Sequence, residues 1–338
     1  MSPVPWTQII SDFKHQRIAV IGDVMLDQYI WGKAERISPE APVPVVEVLR
    51  ESVAPGGAGN VAVNIAMLGG NASLYSVCGA DEAGRLLLEK CVSSGINVAA
   101  VLTDNTRPTT SKTRIVAHDQ QITRVDRESK APVDESISKE LIRRLREDIE
   151  QLTAVIVSDY DKGSVSSWLL AELSRLSKRV GVALFLDCKS AKFQKGLWLT
   201  CITPNEHEIS VLSGVHVHDD RSRRLATQKL FQTVDLEYLL VTRSEQGMSL
   251  FRKNGTVAHC PAFAREVYDI TGAGDTVVAS FALAVGAGAG PEDAIVLASA
   301  AAAQAVSKLG TSPIWAVELQ RAMKCLCRDR KAKAPGSG

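Results

Sequence analysis

The chain has 338 residues, 45% of them hydrophobic, and its 39 lysines and arginines nearly balance its 38 aspartates and glutamates. This size allows one large domain or two smaller ones, and the near-neutral charge argues against a nucleic-acid partner. No stretch approaches the roughly 18 uninterrupted apolar residues of a membrane span. Because the first residues also carry no basic-then-apolar signal, we expect a cytoplasmic protein without a membrane partner.

Short apolar runs alternate with helical patterns along most of the chain. The runs are typical of strands covered on both faces; they are Arg17–Ile21, Ser73–Val77, Ala154–Ser158, Val182–Leu186 and Tyr238–Thr242. Helical periodicity lies between them, at Asn60–Leu68, Ala83–Ser94, Asp134–Gln151 and Ser164–Lys178. The alternation predicts an α/β fold with a mainly parallel sheet flanked by helices. Ligands should bind at the carboxyl ends of its strands.

Two stretches break this rhythm, at about 28–50 and 108–127. The first is rich in proline and the second alternates with period two around His118–Gln120, so both suit exposed strands. Together they predict a small antiparallel sheet outside the main fold. Its free face could be covered by substrate, by a second subunit or by both.

The first chemical motif, Gly22 to Asp27, directly follows the first predicted strand. Asp23 and Asp27 could both face one cleft, where carboxylates accept hydrogen bonds from sugar hydroxyls. The alternative is an Asp turn plus a surface charge, which for Asp27 alone is the better reading.

A glycine turn follows one strand and helix unit later. Gly56 and Gly57 allow a ligand to approach the backbone closely, and Asn60 can both donate and accept hydrogen bonds. The turn lacks the Lys-Ser/Thr ending of a P-loop, so that route to triphosphate binding is not expected.

Further polar motifs come at the ends of later strands. Lys162 and Lys189 are candidate phosphate contacts, although either could be a solvated lysine. Asn205 and Glu208 are three residues apart after Pro204, so they could hold a hydrated Mg²⁺. The same spacing fits a helix capping box.

The richest motif runs from Glu266 to Val278 and reads as strand, glycine turn and helix start. Gly272, Ala273 and Gly274 would direct backbone amides at an anion, at the positive end of the helix dipole. Asp275 beside them suits a general base for phosphoryl transfer. It could instead only cap the helix.

Taken in order, these motifs resemble those of the ribokinase-like, or PfkB, carbohydrate kinases from about Arg17 to Gly310. Segments such as Arg36–Val45, Ser158–Gly163 and Val241–Leu250 are most similar to the branch that phosphorylates D-glycero-D-manno-heptose 7-phosphate. The resemblance implies one ribokinase-like domain over residues 1–338, and the composition of 328–338 predicts a disordered tail. It further implies transfer of a phosphoryl group from ATP to the anomeric hydroxyl, giving the 1,7-bisphosphate used for ADP-heptose and lipopolysaccharide precursors.

The resemblance also implies roles for individual residues. Asp275 would be the base, Gly272 to Gly274 the anion hole, and Asp23, Asp27, Gly56, Gly57 and Asn60 the sugar site. Asn205 and Glu208 would organise Mg·ATP through water, and Arg243, Ser244 and Gly247 would border the nucleotide. Carbonyls at Asp269 and Thr271 resemble a monovalent cation site, such as one for K⁺, whose use stays open.

The sugar 7-phosphate needs cations, for which Lys162, Lys189, Arg36, Arg114 and Arg124 are candidates. No nucleotidyltransferase motif follows the kinase motifs, so a separate adenylyltransferase is expected. The resemblance also implies that the small sheet of about 28–50 and 108–127 forms a lid, through which a homodimer is expected. The alternatives are another PfkB-type sugar kinase and a sugar- or nucleotide-binding regulator without turnover.

Overall fold

The computed structural model describes residues 5–118, 120–190, 195–255, 257–264, 267–308, 310 and 312–333. Its strands are β1 (Arg17–Gly22), β2 (Val24–Ile37), β3 (Pro44–Gly57), β4 (Asn71–Gly79), β5 (Asn97–Asp104), β6 (Ser111–Ala117), β7 (Gln120–Arg127), β8 (Ala154–Asp159), β9 (Ala183–Cys188), β10 (Trp198–Ile202), β11 (Asp235–Thr242), β12 (Met248–Arg252) and β13 (Val257–Cys260). Its α-helices are α1 (Trp6–Ser11), α2 (Ala58–Met67), α3 (Glu82–Ser93), α4 (Glu135–Asp148), α5 (Ser167–Val180), α6 (Glu206–Ser213), α7 (Asp220–Thr233), α8 (Ala273–Gly286), α9 (Pro291–Ala305) and α10 (Ala316–Lys333).

Within the described residues the larger sheet has nine strands in the order β13-β12-β11-β10-β9-β8-β1-β4-β5. The strands from β11 to β5 are parallel, and β12 and β13 join antiparallel at one edge. The predicted α/β fold and its five strands are confirmed. The carboxyl ends of β1, β8, β9, β10 and β11 therefore open on the same edge of the sheet.

Helices cover both faces of this sheet, which explains its uninterrupted apolar strands. In β1, Ile18 and Val20 pack with α1, α2, α3, α8, α9 and α10 on one face. Ala19 and Ile21 pack with α4, α5, α6 and α7 on the other. Adjacent residues of a strand point to opposite faces, so a strand buried on both sides must be apolar at every position.

A second sheet of four strands, in the order β3-β2-β6-β7, stands apart from the first. It confirms the small sheet expected from the two irregular stretches, although β3 continues to Gly57, beyond the predicted boundary. The sheet is mixed and not antiparallel throughout, because β2 and β6 pair in parallel. The two hairpins, β2–β3 and β6–β7, are antiparallel as predicted. Asp119, in the second hairpin's turn, lies outside the described residues.

The end of the chain differs from the prediction of a tail at 328–338. Helix α10 continues to Lys333, and 334–338 lie outside the described residues. Arginine, lysine and alanine, which dominate 328–333, all favour helix. None of the helices in the described part of the chain has both the length and the apolarity needed to cross a membrane.

Candidate active site

Asp275 lies in the first turn of α8 with its carboxyl group enclosed by two hydrogen-bond donors. Its side chain is only 2% exposed. The Tyr160 hydroxyl donates to Oδ1 at 2.6 Å, and Asn60 Nδ2 donates to Oδ2 at 2.7 Å. Burial raises the pKa of Asp275 to about 6, against the opposing effect of these hydrogen bonds and of Lys189. A carboxylate with this pKa is poised to accept a proton near neutral pH.

The geometry at the start of α8 distinguishes a catalytic Asp275 from one that only caps the helix. The N-cap is Gly272, in the left-handed region with φ 78°, and Asp275 occupies the third helical position without a capping hydrogen bond. Both of its oxygens are used by other elements of the fold, so the capping interpretation is wrong for this structure. The predicted strand before the glycines is not formed over Val267–Thr271, where Val267, Tyr268 and Ile270 have exposed side chains and the Tyr268 amide donates to the Val306 carbonyl at 2.8 Å. Glu266 lies outside the described residues.

Two of the three backbone amides predicted to bind an anion at this helix start are free to do so in the described part of the chain. Ala273 N donates to the Ile270 carbonyl at 3.2 Å. Within the described residues, the amides of Gly272 and Gly274 have no protein acceptor. A Cβ added at Gly274 would meet no atom within 4 Å, so this turn faces open space. The predicted anion hole therefore consists of the Gly272 and Gly274 amides in this structure, and not of all three.

Tyr160 lies in the site, although no role for it was predicted from the sequence motifs. It follows β8 in the Ser158–Gly163 motif, and its hydroxyl reaches Asp275 across 115 positions of sequence. Burial and the charge of Asp275 raise the pKa of Tyr160 well above its ordinary value, so the hydroxyl stays protonated and donates. Only its place at a strand end, beside other polar motifs, could have indicated it.

Asp23 holds the loop from Tyr160 to Ser164. Its Oδ2 accepts from the amides of Tyr160, at 2.8 Å, and Lys162, at 3.0 Å, while Oδ1 accepts from Ser164 N at 2.9 Å. The side chain is 1% exposed. Three of about four acceptor positions on the carboxylate are thus used by backbone. Asp23 thus has a structural role that places Tyr160, and its sugar contact stays a prediction.

Gly56 and Gly57 let the backbone pass close to Asp27 and Asp23. A Cβ at Gly56 would lie 2.2 Å from Asp27 Oδ2, and one at Gly57, where φ is 57°, would lie 2.4 Å from the Asp23 carbonyl oxygen. Only glycine fits these approaches. Asn60, predicted to bind sugar, donates one N–H to Asp275, and its Oδ1 accepts from Asn64 at 3.3 Å.

Lys189 lies among carboxylates at the end of β9. It pairs with Glu208 Oε1 and lies 5.3 Å from the centre of the Tyr160 ring. Burial alone would lower the pKa of Lys189, but Asp187 and Glu208 outweigh this and raise it. Burial, together with the Asp275 and Glu208 charges, raises the pKa of Asp187 to about 7, although Lys189 opposes this. The cluster has more negative than positive charge and could accommodate a further cation.

Asn205 and Glu208 form the capping box that the sequence left as an alternative. Asn205 Oδ1 accepts from Glu208 N at 2.8 Å, and Glu208 Oε2 accepts from Asn205 N at 2.9 Å. Among the described residues, no group of three or more His, Cys, Asp or Glu could hold a metal ion alone. Mg²⁺ commonly keeps several waters and binds through one or two carboxylates plus substrate phosphates. Glu208 and the neighbouring Asp187 fit that pattern.

The segment predicted to border the nucleotide follows β11. Ser244–Gln246 forms a short 3₁₀ turn closed by Gly247, at which a Cβ would lie 2.1 Å from the Cys260 carbonyl oxygen. Arg243 contacts Gln246 and Ser249, and its guanidinium lies 3.7 Å from Glu206 and 3.6 Å from Asp220. Arg243 is thus held against α6 and α7, and nucleotide binding by this turn stays a prediction.

Three of the predicted phosphate cations are each paired with a carboxylate, and a fourth lies far from the cleft. Arg114 pairs with Asp27 at 2.6 Å, Arg124 with Asp126 at 2.8 Å and Lys162 with Glu128 at 2.7 Å. Arg36 is exposed near the far end of β2, nine residues beyond Asp27, or roughly 30 Å along an extended strand. It is not brought to the cleft within this chain.

The predicted cation site at Asp269 and Thr271 lies close to the start of α8. Asp269 Oδ1 accepts from Thr271 N and Oδ2 from Gly310 N, each at 2.9 Å. These bonds fix the turn that leads into Gly272. Binding of K⁺ or another monovalent cation by its carbonyls stays a prediction.

The titration of Asp275 predicts how activity depends on pH. Protonated Asp275 cannot accept a proton, so we expect kcat to fall as pH drops through about 6 and to level off above it. In Tyr160→Phe a hydrogen bond that lowers this pKa is lost, so the acid limb should move to higher pH. Steady-state rates from pH 5 to 8.5 test this, and a flat wild-type profile would remove Asp275 as the base.

Comparison with known proteins places this geometry in a family. The model of the pfkB family of carbohydrate kinases matches residues 15–316. The chain is 44% identical over 324 residues to the bifunctional protein HldE of Geobacter metallireducens, covering 95% of this chain and 66% of the relative. It is 45% identical over 300 residues to HldE of Geobacter sulfurreducens, covering 89% of this chain and 61% of the relative.

The chain thus spans about two thirds of the length of these relatives. Because they are named bifunctional, the comparison does not support the expected separation of the adenylyltransferase onto another protein.

Solved structures share the fold at low sequence identity. Ribokinase of Arabidopsis thaliana, complexed with ribose and ATP, has a TM-score of 0.72 at 20% identity and covers 91% of this chain and 99% of its own. Phosphofructokinase-2 of Escherichia coli has a TM-score of 0.75 at 18% identity and covers 93% and 99%. The ribokinase-like architecture is therefore confirmed. With the family model covering most of the sequence, the chain belongs to the pfkB family of carbohydrate kinases.

Proposed function

We propose that the protein transfers the γ-phosphoryl group of ATP to the anomeric hydroxyl of D-glycero-D-manno-heptose 7-phosphate. The observation that carries the chemistry is the buried Asp275 carboxylate, held by Tyr160 and Asn60 beside the free amides of Gly272 and Gly274. The acceptor rests on the resemblance of the Arg36–Val45 and Ser158–Gly163 segments to heptose 7-phosphate kinases. Identity of 44–45% to the HldE relatives supports it.

In this mechanism Asp275 accepts the proton of the anomeric hydroxyl while that oxygen bonds to the γ-phosphorus. The bond from the γ-phosphorus to the bridging oxygen breaks, and ADP leaves. The amides of Gly272 and Gly274 donate to the oxygens of the transferring group, where negative charge must be stabilised. Asp27, whose Oδ2 lies against Gly56, would accept from a sugar hydroxyl.

Glu208, Asp187 and Lys189 would organise the nucleotide phosphates. A bound Mg²⁺, held through water by the two carboxylates, would neutralise phosphate charge. Lys189 would contribute a fixed positive charge between these carboxylates and Tyr160. A second copy of the chain would cover the apolar outer face of the lid, where Val48 and Val125 are 49% and 56% exposed.

The direct test is mass spectrometry of the products after ATP and heptose 7-phosphate are supplied with Mg²⁺. The expected product is the heptose 1,7-bisphosphate together with ADP. Ribose and fructose 6-phosphate serve as competing acceptors. A clear preference for either would overturn the heptose assignment and retain a kinase, whereas binding of ATP and sugar without product would indicate a regulator.

Glu208→Gln should raise the Mg²⁺ concentration needed for half-maximal activity severalfold. Glutamine can still accept from Asn205 N, so the cap is retained, but the charge that attracts the cation is lost. Ser222→Ala is the matched control, because it removes the reciprocal cap of α7 instead. An unchanged Mg²⁺ titration in Glu208→Gln would leave Glu208 with its capping role alone.

A further inference from the structure

The inner face of the lid sheet, meaning the face that carries Asp27, brings together charges from three strands. Asp27, Lys112 and Asp126 are direct partners across β2, β6 and β7, so their side chains share that face. Asp27 connects this face to the cleft, since its Oδ2 lies against Gly56 and its charge acts on Asp275. Lys112 therefore lies on the cleft side of the lid, one strand from Asp27.

Lys112 differs from the other cations of this region in having no ionic partner. Arg114, Arg124 and Lys162 are each paired with a carboxylate at 2.6 to 2.8 Å. In the part of the chain that the structure describes, the Lys112 ammonium makes neither a hydrogen bond nor an ion pair. Asp27 and Asp126 flank it across the sheet, but each is engaged by an arginine.

The surroundings of Lys112 make this lack of a partner costly. Burial lowers the pKa of Lys112, and the nearby charges of Lys162 and Arg124 act in the same direction against Asp27 and Asp126. A half-buried ammonium group whose flanking carboxylates are already paired is unfavourable unless another anion joins it. The register places Arg124, paired with Asp126, on the same face as Lys112, and the charge of Lys162 also acts on Lys112. An unpaired ammonium group beside paired cations is an arrangement that a phosphate group satisfies.

We propose that Lys112 is the principal contact for the phosphate group of a phosphorylated sugar, with Lys162 and Arg124 completing the subsite. The inference rests on the proposed function and deepens it, because it names the residue that distinguishes a sugar phosphate from a plain sugar. The reacting hydroxyl lies at Asp275 and the phosphate at the lid, so the lid recognises the end of the acceptor that does not react.

The test compares wild type with Lys112→Gln on heptose 7-phosphate and on the unphosphorylated heptose. We expect kcat/KM for the phosphorylated sugar to fall about tenfold to a hundredfold, mainly through KM, as for loss of a hydrogen bond to a charged group. The ratio of kcat/KM for the two sugars should shrink accordingly. Lys112→Arg should restore most of the loss. Lys33→Gln, an exposed lysine of the same sheet, is the control and should change neither sugar's kinetics.

Inorganic phosphate gives a measurement that does not depend on turnover. It should raise the Tm of the wild type in millimolar titrations and raise that of Lys112→Gln much less. An unchanged KM for heptose 7-phosphate in an active Lys112→Gln enzyme would overturn the subsite while the proposed function stands. If wild type does not use heptose 7-phosphate yet phosphate stabilises it through Lys112, the substrate is wrong and the subsite stands.

Discussion

Replacing Asp275 with asparagine should lower kcat by roughly a hundredfold or more while the protein stays folded and binds ATP. The amide can keep the local geometry: its oxygen accepts from Asn60 Nδ2, and its nitrogen donates to the Tyr160 hydroxyl, which can rotate to accept. What it cannot do is take the proton of the sugar hydroxyl. Steady-state rates, circular dichroism and ATP titration by calorimetry measure the three properties.

The stability of this variant gives a second check. In the folded protein the pKa of Asp275 is raised from 3.8 to about 6, so stability is lost as pH rises from about 4 through 6 and the buried carboxylate ionises. At pH 7 the neutral asparagine removes that cost, and we expect the variant to be at least as stable as wild type. Catalytic carboxylates often carry such a cost.

The matched control is Asp293→Asn. Asp293 holds the third position of α9, as Asp275 does in α8, and both helices begin after a glycine N-cap, but Asp293 is exposed. A role confined to the helix dipole would give the two variants similar, small effects on stability and none on turnover. Near-normal turnover in Asp275→Asn would contradict the assignment of the base.

The fold was predictable to the extent that burial leaves a local pattern. Runs such as Ile18–Ile21 and Ala154–Val157 are apolar at every position because both faces are covered, and sequence shows this directly. Val267–Ile270 is also rich in residues that favour strands, yet three of its four side chains are exposed, and the Asp269 carboxylate ties that turn to Gly310. Strand propensity cannot reveal such a long-range hydrogen bond.

The site residues also differ in whether the local sequence reveals their role. Asp275 stands in a glycine motif whose geometry is local, so its place was predictable. Tyr160 acts through a bond to Asp275, and Lys112 matters because of its register with Asp27, and neither relation exists until the chain is folded. A sugar contact was predicted for Asp23 because a carboxylate at a strand end suggests one. In the folded chain three backbone amides donate to that carboxylate.

Asp23→Asn should destabilise the protein by about 2 to 4 kcal/mol in the free energy of unfolding. Whichever way the amide is oriented, its nitrogen faces a backbone N–H: Ser164 on one side, or Tyr160 and Lys162 on the other. At least one buried donor loses its acceptor, and the charge that strengthened the others is gone. Chemical denaturation measures this loss directly. Turnover should fall too, because Tyr160 is then placed less firmly against Asp275.

Asp27→Asn is the isosteric comparison. The Asp27 carboxylate accepts from one side chain and can still accept from another donor, whereas the Asp23 carboxylate accepts from three backbone amides. For Asp27→Asn we expect the KM for the sugar to rise at least tenfold, while the KM for ATP stays near the wild-type value, because Asp27 is the carboxylate proposed to contact the sugar. The two variants thus distinguish a carboxylate that holds the loop from one that binds the substrate. An Asp23→Asn protein with wild-type unfolding free energy and a raised sugar KM would return Asp23 to the sugar site. The loop from Tyr160 to Ser164 would then need another explanation for its position.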